Sequence, residues 1–306
     1  MKKIIEFVKE LFAEFSRDDA TTLAAALAYY TVFSIAPLLV IVISVSGFFL
    51  GADAVNGELY SQLEQLMGKD AALQIQETVK SAHVSGKSIL ATLISVGVLL
   101  FSATAVVGQL KHAINRAWNI AENPENGMGV YVKNRLLSLT FILGLGFIFL
   151  VSLALNSVAA FFSNELVQLF PSLNQTVTLI VPMIIAALIT FSIFVLLFKY
   201  LPDAIIKWRD VFVGALFTTL LFLVGKYLIG FYIGNSDVAS TFGSAGALAS
   251  LMLWVYYNAI ILLLGAEFTQ IWSRRKASRI EPNKYAIRMN KSERHLQKAM
   301  EAEVSP

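Results

Sequence analysis

Residues 247–266, ALASLMLWVYYNAIILLLGA, carry no charge, and this one stretch constrains the fold more than any other. A glycine-rich turn at Phe242, Gly243, Ser244 and Gly246 precedes it, and Glu267 followed by Ser273-Arg274-Arg275-Lys276 closes it. About 20 apolar residues rising ~1.5 Å each match a bilayer hydrocarbon core roughly 30 Å thick. Arginine and lysine directly after such a run mark its cytoplasmic end. The stretch therefore reads as a helix that enters the membrane from outside and leaves into the cytoplasm.

The rest of the chain has to thread in agreement with that helix. Charged residues make up 15% of the sequence and hydrophobic ones 57%, against about 25% charged in soluble domains. The expected class is all-α: a polytopic bundle of six transmembrane helices with both termini cytoplasmic. The spans fall at about 23–50, 88–110, 136–162, 176–198, 211–233 and 247–272, which divides the chain into an amphipathic N-terminal segment 1–22, a membrane domain 23–272 and a basic tail 273–306. Lysine and arginine test this threading. The four inner segments hold 4, 4, 3 and 9 of them, while the outer segments hold 3, all in the loop 51–87. That asymmetry is the positive-inside pattern.

Three other segments carry patterns of their own. Ile4, Ile5, Val8, Leu11, Phe12 and Phe15 recur at helical spacing among acids, which suits a helix on the cytoplasmic membrane surface or one packed on the bundle's inner face. In the loop 51–87, Leu59, Leu63, Leu66 and Met67, then Leu73, Gln76 and Val79, predict two short amphipathic helices over the outer mouth. The tail is polar and is broken by Pro282. Its basic residues fit either anionic headgroups or stop-transfer bias followed by a solvated helix.

Chemistry is sparse. The chain has no cysteine, which removes disulfides, thiolate catalysis and cysteine–zinc sites. His83, His112 and His295 are scattered, and no P-loop, GxSxG or HExxH is present. The expectation is a protein that is not an enzyme, with no cofactor, no metal and no nucleic-acid partner. Polar groups at membrane depth carry more information, because burying charge in hydrocarbon is costly and marks a cavity or a partner. Lys226 lies deep in the fifth span. With Tyr29, Tyr30, Ser34, Pro37, Tyr227 and Tyr256 it forms the candidate substrate-binding set, in which Pro37 kinks the first span and buried tyrosine hydroxyls seek partners. Arg116, Asp203, Arg209, Asp210 and Glu267 form a candidate ionic layer at the inner end. Gly230, Gly234, Gly243 and Gly246 are candidate helix-contact glycines.

With these residues in place, the chain resembles the YihY/BrkB family of bacterial inner-membrane proteins, once labelled ribonuclease BN-like. The resemblance rests on ALAYYTVFSIAPLL at 26–39, LKHAINRAWNI at 110–120, KYLPDAIIKWRDVFVGALFTT at 199–219 and YIGNSDVASTFGSAGALASLMLWVYYNAIILLLGAEFTQ at 232–270. At Phe242 the sequence departs from the tyrosine expected before that glycine. The resemblance implies a six-helix bundle in the inner membrane and envelope work of undefined substrate. The leading expectation is a transporter or flippase for an anionic amphiphile, with membrane lipids and a homo-oligomeric copy as partners. A non-transporting scaffold for envelope proteins and, behind it, a membrane-associated ribonuclease are the alternatives.

Overall fold

The computed structural model of the chain describes residues 2–50, 57, 60–61, 64, 72–73, 75–77, 89–124, 127–169, 174–235 and 246–289. In chain order the elements are α1 (Lys2–Arg17), α2 (Ala20–Leu50), α3 (Ile89–Ala117), β1 (Ile120–Glu122), α4 (Met128–Leu169) and α5 (Asn174–Tyr200). They continue with β2 (Ala204–Ile205), α6 (Trp208–Asn235), α7 (Gly246–Arg275), β3 (Glu281–Pro282) and β4 (Ala286–Arg288). Among the described residues, four stretches are long and apolar enough to cross a bilayer: Met128–Ile148, Met183–Tyr200, Trp208–Ile229 and Leu248–Arg275.

The long helices close a ring in chain order. Each of α2 to α6 packs on the next, and α7 returns to α2, with α2 also touching α4 and α3 touching α7. The main core sits at the basic end of this ring. Trp118, Ile114, Phe198, Val211, Ala215 and Ala266 are fully buried there, and the Trp118 indole N–H donates to the Ala266 carbonyl at 3.0 Å. A buried indole needs such a partner, so this bond fixes the end of α3 against α7.

Helices α6 and α7 cross through a reciprocal pair. Gly214 and Thr218 on α6 face Thr269 and Gly265 on α7, and a methyl at either glycine would overlap the opposing threonine hydroxyl. Each threonine returns its hydroxyl to its own helix, Thr218 to the Gly214 carbonyl at 2.8 Å and Thr269 to the Gly265 carbonyl at 2.7 Å. Glycine and a back-bonded threonine four residues apart let two backbones approach closely without an unpaired hydroxyl.

Four features differ from the sequence expectation or sharpen it. Helix α2 runs unbroken through Pro37. Lys133 and Arg135, expected in a loop, sit in the first turns of α4, which begins at Met128. Among the described residues, the tail up to Met289 does not continue as a solvated helix after α7. It turns at Ala277, where φ is 54°, and returns as two short strands. Strand β4 pairs antiparallel with β1, setting Glu122 opposite Ala286, and β3 pairs antiparallel with β2, setting Ala204 opposite Pro282. Pro282 is tolerated because a two-stranded ribbon asks few donors of it. At the opposite end, Ala72 and Ile75 are buried with Leu39, Ile43, Leu251 and Val255. Part of segment 51–87 therefore folds onto α2 and α7, while most of it, with the glycine turn at 241–245, lies outside the described residues.

Candidate functional site

The basic end is organised around Asp203, in the turn between α5 and β2. Its carboxylate takes the Lys111 ammonium at 2.7 Å and the Asn115 amide at 3.1 Å, and the Asn283 side chain reaches its other oxygen at 3.3 Å. Its backbone N–H donates to Asn115 Oδ1 at 2.8 Å, and its carbonyl accepts from the Asn283 N–H at 2.9 Å. Lys111 and Asn115 stand one turn apart on α3 and so share a face. Lys111 also meets Glu122 at 3.3 Å, and Glu122 accepts from Asn134 at 3.1 Å. Lys111, Asn115 and Asp203 are all buried. The network ties α3, α4, the α5–β2 turn and the tail into one unit.

Beside this network lies a cavity of about 460 Å³ between α4, the end of α5 and the tail. Its two ends differ in chemistry. One is polar and cationic, with Lys111, Lys133, Lys284, Asn134, Asn283 and Tyr285. The other is the apolar wall formed by Leu137, Phe141, Leu145, Ile148 and Leu196, with Gly144 leaving open space in it. Lys133 stands 3.8 Å above the Tyr285 ring and Lys284 4.9 Å from it. Hydrogen bonds and charge from Lys284 and Lys133 hold the Tyr285 phenol below its ordinary value of 10.0. Neither lysine is paired with a carboxylate among the described residues.

A second ionic cluster pins α1. Arg274 and Arg275 at the end of α7 pair with Glu10, and Arg274 also reaches Glu14 at 3.3 Å. Burial raises the Glu10 carboxyl, but hydrogen bonds from Arg275 and Arg274 and their charges carry the net shift below its ordinary value of 4.5. Phe7 packs edge-on against Phe268 with centroids 5.2 Å apart. Helix α1 thus turns Glu10, Leu11 and Glu14 to the bundle, while Ile4, Ile5, Glu6, Val8 and Phe12 remain exposed. One face of α1 is docked on the bundle and the other is apolar and outward.

The sequence candidates do not converge on one site. Of those among the described residues, only Asp203 lines the cavity. Tyr29, Tyr30 and Tyr227 are exposed on the outer flanks of α2 and α6, where Tyr29 contacts Tyr30 and Phe33. Ser34 is buried, Pro37 and Lys226 are half-buried, and Tyr256 packs beside Leu23, Leu27 and Leu263. In the ionic layer, Asp210 is buried and accepts from Ser273 at 3.4 Å, Glu267 is fully buried, Arg116 is half-buried and Arg209 is exposed. Gly246 begins α7 and is buried. Gly230 and Gly234 lie in the last turns of α6, where side-chain surroundings fall outside the described set, as does Gly243 altogether. Sequence reasoning missed Lys111, Asn115, Lys133, Asn283, Lys284 and Tyr285 as a group. The lysines read as ordinary inner-loop charges, and only the tail's return brings Lys284 to Lys133.

The fold and the cavity define a class: a multi-pass membrane protein whose basic end carries an amphiphilic pocket. Within that class, the chain belongs to the family described as Virulence factor BrkB, whose profile matches residues 11–289. Its relatives include the ribonuclease-like protein YfkH of Bacillus subtilis, 24% identical over 282 residues that cover 89% of this chain and 97% of that one. A UPF0761 membrane protein of Psychromonas ingrahamii is 26% identical over 277 residues, covering 88% of each chain. Another UPF0761 membrane protein, from Azotobacter vinelandii, is 24% identical over 271 residues, and the match spans 86% of this chain and 62% of that one. No solved structure matches the chain.

Proposed function

We propose that this chain moves an anionic, lipid-like amphiphile across the bacterial inner membrane, crossing it six times with both termini in the cytoplasm. The single observation that carries the reading is the cavity at the basic end, cationic at one side and apolar along α4 at the other. An amphiphile has those two halves, and a pocket of some 300–1,000 Å³ with a few placed polar groups is the usual form of a small-ligand site. The loop charges support the six-span threading, and under it the cavity faces the cytoplasmic leaflet. Lys226, half-buried on α6 and outside the cavity, supplies a further cation along the path. The chemistry is binding and transfer, with no bond made or broken. The test is transbilayer movement of fluorescent phosphatidylglycerol in liposomes holding the purified chain. Movement faster than in protein-free liposomes supports the reading, and equal rates defeat it.

The name of the Bacillus relative supplies a second reading, a membrane-associated ribonuclease. Metal-dependent RNA cleavage by the same purified preparation, abolished by a point substitution, would favour it over transport.

A further inference from the structure

The tail lines the cavity with Asn283, Lys284 and Tyr285. Two ammonium groups from positions 151 residues apart, Lys133 on α4 and Lys284 in the β3–β4 turn, are gathered over one tyrosine ring with no carboxylate neutralising either among the described residues. Like charges held together repel, so a fold that gathers them gains most when an anion sits between them. Among the described residues, the one carboxylate lining the cavity, Asp203, is already taken by Lys111, Asn115 and Asn283. It therefore holds the wall together without cancelling the two outer lysines. The strand pairs on either side of the turn, β2 with β3 and β1 with β4, fix where Lys284 and Tyr285 stand.

We propose that the phosphate of one anionic phospholipid from the cytoplasmic leaflet binds between Lys133 and Lys284, with the Tyr285 hydroxyl beside it. One acyl chain lies along Phe141, Gly144 and Ile148. The proposal rests on the reading of this cavity as an amphiphile site and adds the headgroup chemistry and the tail's part in holding it. The cavity volume of about 460 Å³ suits a headgroup and the first part of one chain, with the remainder in the bilayer. Lysine is a strongly hydrated point charge with three donors, which suits a phosphate oxygen and carries little geometric selectivity among phosphate diesters.

The experiment is native mass spectrometry of the full chain released from nanodiscs of phosphatidylglycerol or of phosphatidylcholine, with stepwise delipidation. Wild type should keep one phosphatidylglycerol beyond the point where phosphatidylcholine is lost. Lys133→Gln/Lys284→Gln should weaken that retention at least tenfold, whereas Lys207→Gln, an exposed lysine outside the cavity, should leave it unchanged. Gly144→Leu is a second route, since a side chain there meets open space. It should displace the lipid while helix content and melting temperature hold. Equal retention of both lipids, or unchanged retention in both variants, overturns the proposal. So does displacement of the bound lipid by glycerol 3-phosphate at equal concentration, because the site would then take a soluble phosphate. Failure of lipid movement in liposomes with retention intact would defeat the transport reading alone. Intact movement with retention unaffected in both variants would defeat this proposal alone.

Discussion

Gly214→Ala tests the α6–α7 crossing on which the basic end is built. The new Cβ would overlap Thr269 Oγ1, with Thr269 Cβ itself only 3.0 Å away. Threonine is branched at Cβ and stiff at χ1, so it has little room to swing aside. Its hydroxyl is committed to the Gly265 carbonyl at 2.7 Å. Relief therefore means breaking that bond, which costs about 0.5–1.5 kcal/mol, and spreading or straining the helices, which costs about 1–3 kcal/mol. Against this, alanine gains roughly 1 kcal/mol over glycine in helix propensity. The net expectation is a loss of about 1–3 kcal/mol, read by reversible SDS titration in micelles with near-UV dichroism as the probe. The twin change Gly265→Ala should cost about the same, because it meets Thr218 in the same way. The double change Gly214→Ala/Thr269→Ala should recover part of the loss, since the hydroxyl clash goes and the close Cβ approach stays. A Gly214→Ala protein as stable as wild type, or more stable by the propensity gain, would refute the close crossing.

Three further outcomes follow from the same geometry. Asp203→Ala strands Asn115 and leaves the buried Lys111 with Glu122 as its carboxylate partner, so it should cost about 3 kcal/mol, the low end for a broken buried pair, seen as a lower thermal midpoint, while Asp203→Asn keeps the shape and should cost less. Ala277 holds a left-handed backbone at φ 54°, so Ala277→Gly should stabilise by about 0.5–1 kcal/mol in the same melt. The docking of α1 should be acid-sensitive. Glu10 titrates lower when paired with Arg275 and Arg274 than when free, so the pairing favours docking above the free value of 4.5 and is lost as pH falls through the docked value. The chain lacks cysteine, so spin labels at Lys3→Cys and Lys276→Cys report this distance cleanly. They should separate in acid for wild type and show no such transition when Glu10→Gln is added.

The long helices were legible because their signals are local. The uncharged run before Arg274 and the basic loops at Lys111 and Lys199 each speak for themselves in a window of about 20 residues. The acids of α1 were visible too, but not that Glu10 and Glu14 meet Arg274, some 260 positions away. The tail strands could not be seen, because two- and three-residue strands carry no period and depend on partners at 120–122 and 204–205. Pro282 even read as a break. The crossing at Gly214 and Gly265 did leave a trace, a threonine four residues after glycine on both helices. In so apolar a chain such spacings are common by chance, so the trace gains meaning only from the overlap. Depth in the membrane singled out Lys226, whereas the cavity draws on lysines that depth does not mark.

The most direct test is a cryo-electron-microscopy map of the full chain in phosphatidylglycerol nanodiscs. Headgroup density should lie between Lys133 and Lys284 and continue as a tail along Phe141 and Ile148. A cavity filled instead by side chains or closed by a displaced tail, with ordered lipid at Lys226 alone, would contradict it.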